Sequence, residues 1–283
     1  MIENRASQTA LSVAWLRAAH QVLDIPLILE DAAILALLGP SAREQIESRV
    51  EELQNPITFA LRSHVALRSR FAEDRLHKAV GRGVRQYVLL GAGYDTFCLR
   101  QPDWAAPLRI TEADQSATQR DKLARIKQAG MMVPPNVTFL CVDFETETLS
   151  DAIQRSGIDQ LAPTFFSCLG VTVYLTDDAV TALFSTVAGF PPGSEIAFTF
   201  SQPRDGEDAK TRAAGAILAE QVAAVGEPWR SHFTVVEIRD RLAAAGFQQI
   251  DFLAPDDARK QYFADRTDSL PPPRRISICS AIR

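Results

Sequence analysis

Residues 86–100, Gln86-Tyr-Val-Leu-Leu-Gly91-Ala-Gly93-Tyr-Asp95-Thr96-Phe-Cys-Leu-Arg100, decide the fold. Tyr87 to Leu90 form an unbroken apolar run that stops at two glycines separated by one residue. Such a run predicts a parallel strand buried on both faces, turning sharply into a helix. Glycine lets backbone come close to an anion or a ribose, and the helix start beyond it offers free N–H groups. A Gly-x-Gly turn after a strand is shared by several nucleotide-binding classes and by ordinary tight turns. The nicotinamide fingerprint wants a third glycine three residues on, and that position is Thr96.

Two further strand ends narrow the choice. The segment Leu108-Arg109-Ile110 leads into Thr111-Glu112-Ala113-Asp114. An acid at the tip of the second strand accepts hydrogen bonds from a ribose diol. Alternation sends Glu112 and Asp114 to the same side, and one of them suffices. A third strand, 137–142, runs into Asp143-Phe144, where a carboxylate can accept from an adenine amine; capping of a helix over 146–155 is the plainer role. Asp95 either caps the helix expected after the glycine turn or approaches the cofactor's ammonium group, with Arg100 nearby. Lys122 lies on a helix expected over 116–129, closed by Gly130, and pairs with Asp121 or with solvent.

Taken together, Leu89-Leu-Gly-Ala-Gly-Tyr-Asp-Thr96, Glu112-Ala-Asp114, Lys122 and Val142-Asp-Phe144 resemble the S-adenosylmethionine-dependent methyltransferases of the leucine carboxyl methyltransferase-like group. Ser7-x-Thr9-Ala10, Arg17-Ala18 and Ala66-Leu-Arg68-Ser-Arg-Phe71 extend the resemblance, which spans about residues 7–200. It implies an α/β fold: a doubly wound, seven-stranded, mostly parallel Rossmann-like sheet with an N-terminal helical cap, residues 1–80 forming the cap and 81–283 the cofactor-binding domain. It implies that Arg68 reaches the methionine carboxylate of the cofactor and that Asp114 ranks ahead of Glu112. With these go Gly91, Ala92, Gly93, Asp95, Asp143, Phe144, Leu169 and Gly170 as the cofactor-binding set. The family segment apolar-Glu-Gly-Val-x-x-Tyr-Leu reads here Cys168-Leu169-Gly170-Val171-Thr-Val-Tyr174-Leu175, so a leucine stands in place of the glutamate.

The rest of the chain fits one catalytic unit. An apolar fraction of 46% fills a sizeable core, and a net charge of −5 without long runs of one sign argues against a nucleic-acid-coating surface. Helical patterns cover 7–22, 32–38, 41–53 and 57–80, the last divided from its predecessor by Asn55-Pro56. Further strands are expected at 164–171, 195–201, 247–253 and 275–282, the last two as a terminal hairpin. Helices follow Thr176 and cover 208–225 and 235–245, with a surface loop at 202–208. Cys98, Cys141, Cys168 and Cys279 are spaced as buried thiols, which suits a reducing cytoplasm. The four histidines show no ligand spacing, so no metal is expected.

The expected activity is methyl transfer from S-adenosylmethionine to a carboxylate or hydroxyl oxygen of a small molecule or peptide. A carboxylate needs no general base and would want a cationic partner, for which Arg17 and Trp229 with Arg230 are candidates, while Tyr174 at the fourth strand's end is a candidate to face the transferred methyl or the acceptor. A hydroxyl acceptor would need a base, His232 or Tyr174. A nucleotide-dependent oxidoreductase and a non-catalytic adenosine-binding protein are the alternatives.

Overall fold

The computed structural model describes residues 5–144, 146–204 and 209–283. Seven strands form one sheet in the order β3-β2-β1-β4-β5-β7-β6. The strands are β1 (Gln86–Leu90), β2 (Arg109–Asp114), β3 (Val137–Cys141), β4 (Thr164–Cys168), β5 (Glu195–Thr199), β6 (Gln249–Phe252) and β7 (Ile278–Ile282). The first five run parallel, and β7 lies antiparallel between β5 and β6. Because side chains alternate along β1, Tyr87 and Leu89 enter one core while Val88 and Leu90 enter the other. Both faces are apolar because both are covered.

One core joins the sheet to α7 (Leu149–Gln154), α8 (Asp177–Ala188) and α10 (Val235–Ala245). On the opposite face lies α5 (Pro56–Gly81), whose Ala72, Leu76 and Ala79 pack against Tyr87, Leu89 and Phe165. Before α5 come α1 (Gln8–Leu23), α2 (Ala32–Leu38), α3 (Ala42–Glu47) and α4 (Val50–Leu53). The first three of these share a cluster with Tyr94 and with Ile126 of α6 (Ser116–Gln128). The chain is completed by α9 (Ala209–Ala224) and α11 (Pro255–Tyr262).

Local chemistry sets many of these boundaries. Ser7 caps α1 by accepting from the Ala10 N–H, and Asn55 caps α5 with Pro56 in the first turn, where a missing N–H costs nothing. Thr176 caps α8 through the Ala179 N–H. Gly246, at φ +101°, ends α10 in the left-handed conformation.

Several expectations need correction. No α-helix follows the glycine turn: two 3-10 turns, Phe97–Leu99 and Asp103–Ala105, carry the chain to β2. Gln101-Pro102 forbids a longer helix, and α1 to α3 fill the space it would have taken. The span 41–53 is broken into α3 and α4 at Ser48 and Arg49, and the helix expected over 146–155 starts only at Leu149, capped by Thr148. The last two strands pair, but the turn joining them is no hairpin, since 253–277 with α11 lies between. Cys141, on edge strand β3, is exposed, and the other three cysteines are buried. Of the loop at 202–208, residues 205–208 lie outside the described residues. Among the described residues no helix is long and apolar enough to cross a membrane.

Beneath the surface, α1 and α5 are joined by a charged clamp. The buried Arg62 donates to both Asp24 oxygens at 2.9 Å, and His20 Nδ1 meets the same carboxylate at 2.8 Å. His20 Nε2 accepts from the Ile28 and Leu29 N–H groups, so the ring is the neutral tautomer with its proton toward Asp24. These donors outweigh burial and hold Asp24 below the usual carboxylate range. Removing one partner of such a pair leaves a buried uncompensated charge. Asp24→Ala should therefore destabilise the fold by about 3–5 kcal/mol in denaturant unfolding, whereas Asp256→Ala, which removes the exposed pair with Arg259, should cost about 1 kcal/mol or less.

Candidate functional site

The parallel strands end side by side, and the chain leaves β1 for β2 on one flank and returns from β3 to β4 on the other. That reversal opens a crevice at the carboxyl ends of β1 and β4. Gly91, at φ +65°, has no room for a side chain, because a Cβ there would overlap Val171 Cγ2. At Gly93, φ +52°, a Cβ would stand 3.2 Å from that of Ala10 at the start of α1. The Gly91 and Ala92 N–H groups both donate to the Ala113 carbonyl, at 2.8 and 3.2 Å, which ties the turn to β2.

Asp114 ends β2 with its carboxylate against the turn. One oxygen accepts from the Gly93 N–H at 2.5 Å and the other from Gln115 at 2.7 Å. Burial dominates these donors and raises its pKa to about 6. Asp143, after β3, accepts from the Gln115 amide at 3.0 Å, and Phe144 beside it rests half-buried on the core. Asp114, Gln115 and Asp143 thus form one polar rim across β2 and β3.

Glu112 is elsewhere. Both it and Lys122 are 1% exposed, and Lys122 Nζ donates to Glu112 at 2.5 Å between β2 and α6. A ribose could not reach Glu112 without breaking this pair, so of the two acids only Asp114 stands at the crevice. Lys122 accordingly meets neither Asp121 nor solvent; Asp121 takes the Tyr94 hydroxyl at 2.6 Å and Arg125 instead.

Arg17, a candidate cation for the acceptor, is committed to the underside of the turn. Its guanidinium bonds Asp31 at 2.6 Å and Asp95 at 2.7 Å, and Asp95 Oδ1 caps the following 3-10 turn through the Phe97 N–H. Burial of Asp95 is outweighed by Arg17 and Arg100, and its pKa falls to about 2. Thr96 donates to Asp31 at 2.6 Å and accepts from Arg17 and Arg100, each at 3.2 Å. Arg100 continues to Glu73 of α5. Asp31, Thr96 and Glu73 carried no local signal of this role beyond the threonine in a glycine's place.

Arg68 faces the crevice from α5. A Cβ on Gly170, which has φ +77°, would stand 2.6 Å from its Nη1. Among the described residues the Arg68 guanidinium has no hydrogen-bond or ion-pair partner, and burial lowers its pKa to about 10. Its neighbours on α5 do not share a solvated face: Arg62 is buried on Asp24, and Arg75 bonds Glu195 at 2.5 Å. Leu169 is half-buried and packs against the core cluster that holds Tyr87 and Phe97. The backbone of Gly170 is fixed by the Thr199 hydroxyl at 2.7 Å.

Tyr174 closes a 3-10 turn after β4, half-buried, with Thr9, Trp229 and Arg68 around its phenol, and burial raises its pKa. Glu227 was not expected: it accepts from the Ser7 and Thr9 hydroxyls and the Gln8 N–H, fastening the start of α1 over the glycine turn. Trp229 meets His232 edge-on at 6.4 Å, while Arg230 points outward and contributes its backbone N–H to the Val173 carbonyl at 2.7 Å.

A seven-stranded doubly wound sheet with this crevice is the fold of the Rossmann-like methyltransferases. The chain matches the leucine carboxyl methyltransferase family over residues 10–188. It is 32% identical over 305 aligned positions, covering 100% of both chains, to "Putative S-adenosyl-L-methionine-dependent methyltransferase YktD" of Bacillus subtilis. A DUF574 family protein of Streptomyces avermitilis superposes with a TM-score of 0.59 over 100% of both chains at 15% identity, a likeness of fold alone. The chain belongs to the leucine carboxyl methyltransferase family. It is an S-adenosylmethionine-dependent methyltransferase, and the oxidoreductase and non-catalytic alternatives fall away.

The Thr96 bridge can be tested for stability. Thr96→Val keeps the volume and leaves buried Asp31 short of a donor, which should cost about 1–3 kcal/mol. Thermal unfolding should show a fall of several degrees, and an unchanged midpoint would mean that the bridge contributes nothing.

Proposed function

We propose that the enzyme methylates a carboxylate oxygen of a small molecule or peptide, with its cofactor held at the crevice of β1 and β4. The observation that carries the cofactor pose is Arg68, a half-buried cation without a hydrogen-bond or ion-pair partner among the described residues, set against Gly170 after β4. A planar guanidinium suits a carboxylate, here the methionine end of the cofactor. Asp95, kept ionised under the turn, suits the ammonium group. Gly91 to Gly93 give the backbone close approach, Asp114 accepts from the ribose diol, and Asp143 with Phe144 receives the adenine. When bound, S-adenosylmethionine supplies a methyl group on a sulfonium, which a nucleophile displaces in line.

The chain's own contribution is positioning and exclusion of water. In this reading the first eighty residues act as a cap: α1 covers the turn at Ala10, Glu227 pins its start, and Arg17 anchors it to Asp95. A carboxylate acceptor arrives ionised, so no residue need take a proton. Tyr174 fits that chemistry: its phenol keeps its proton and serves as a donor toward the acceptor oxygen rather than as a base. His232, held below its ordinary pKa by burial and Arg204, lies past Trp229 and away from this position.

Calorimetric titration with S-adenosylhomocysteine tests the pose. Arg68→Met should weaken binding by about 10- to 100-fold, as loss of a charge-assisted bond implies. Wild-type affinity in that variant would refute the assignment. The Asp114 carboxylate must be ionised to accept from the diol, and it gains its proton as pH falls through about 6. Lowering the pH from 8 to 5 should therefore weaken binding by about tenfold, and Asp114→Asn should flatten that dependence. Product analysis with carboxylic acids and phenols side by side tests the acceptor; methylated phenols without methyl esters would sink the carboxylate reading.

A further inference from the structure

Beyond Tyr174 lies a crevice of about 450 Å³, a size suited to a small organic molecule. One wall is α9, where Gly215, Ala216, Ala219 and Ala223 are spaced to share a face, with Arg212 and Glu220 of the same helix also lining the crevice. The opposite wall is aromatic, made by Trp229 and His232 with their rings 6.4 Å apart. Arg204 reaches over the Trp229 ring at 6.0 Å and lies on Gly215, where any Cβ would overlap its guanidinium. The slot is thus lined by small apolar residues of α9 and by an aromatic pair, with Arg204, Arg212 and Glu220 as its charged groups. Trp229 connects it to the reaction centre, since the indole lies against the Tyr174 phenol, which in turn faces Arg68.

We propose that this slot is the acceptor's body site and takes a planar aromatic ring carrying the reacting oxygen group, stacked between Trp229 and the α9 face. Indole and guanidinium favour the face of an aromatic ring, and a wall of glycine and alanine admits a flat body without leaving voids. An alkyl chain of similar carbon count would fill such a slot poorly. The inference rests on the methyl transfer centre proposed above only for the position of the reacting oxygen; the slot itself is read from its own walls.

The test titrates 2-naphthoate, 2-naphthol and decanoate into the full-length protein saturated with S-adenosylhomocysteine. Both naphthyl probes should bind, with decanoate about tenfold weaker or worse. Ala219→Phe, a substitution on a partly exposed helix face, should weaken naphthyl binding by about tenfold or more while cofactor affinity stays within about twofold. Decanoate binding as tightly as naphthoate, no binding of either naphthyl probe, or naphthoate affinity untouched by Ala219→Phe would each overturn the aromatic slot. With S-adenosylmethionine replacing S-adenosylhomocysteine, methylation of 2-naphthol in place of 2-naphthoate would uphold the slot and overturn the carboxylate reading, so the two proposals fail separately.

Discussion

The buried polar junction under the glycine turn is the constraint from which the rest of the molecule follows. Arg17 of α1, Asp31 at the cap of α2, Asp95 and Thr96 of the turn, Arg100 and Glu73 of α5 form one connected set. Any of these groups alone in the interior would be costly, so each persists only because the others are in place. The consequence is geometric: four segments remote in sequence must meet at one point, and that point is where β1 hands the chain to the cofactor crevice. The N-terminal helices are therefore tied by buried polar bonds to the turn that ends β1.

Thr96 shows how a small change in a shared turn redirects a fold. A glycine at this position lets a helix pack close behind the strand. Here a threonine hydroxyl instead bridges an acid and two arginines, and no α-helix follows the turn. The space is taken by α1 to α3, which contribute Ala10 above Gly93 and the Ser7-Gln8-Thr9 segment held by Glu227. Absence of an α-helix after the turn and the packing of α1 to α3 beside it are two sides of one packing solution.

How much of this was legible in the sequence follows from range. The strand of Tyr87 to Leu90, the paired glycines and the acids at 114 and 143 are local patterns, and periodicity suffices to place them. Asn55-Pro56 and Thr176 announce their helices by capping chemistry that acts within four residues. By contrast Glu112 and Asp114 look alike along β2, and only the burial of Lys122 on α6 separates the ion pair from the crevice acid. The Arg62–Asp24 clamp and the hold of Glu227 on α1 span 38 and about 220 residues, beyond any pattern in one sequence. Leu169, which replaces the glutamate of the family segment, packs half-buried against the core, a placement that no local pattern announces.

Among the described residues Arg68 makes no hydrogen bond or ion pair, and it lies beside a charged junction. The junction beneath the turn holds Arg17 and Arg100 against Asp31, Asp95 and Glu73, two cations to three acids. Burial pushes Glu73 upward although Arg100 pulls it down, as expected where acids are in excess. Arg68 feels attraction from Asp95 and repulsion from Arg17, yet makes a direct bond to neither. Burial and Arg17 act against the charge of that guanidinium and Asp95 offsets them only in part, so its donors remain available to an anion. The amino-acid end of the proposed cofactor is a zwitterion, and it would meet this arrangement in complementary order, carboxylate toward Arg68 and ammonium toward Asp95. Its arrival would give Arg68 the hydrogen bonds it lacks without disturbing a bond that holds the cap, which is why the same junction can be both rigid support and binding surface.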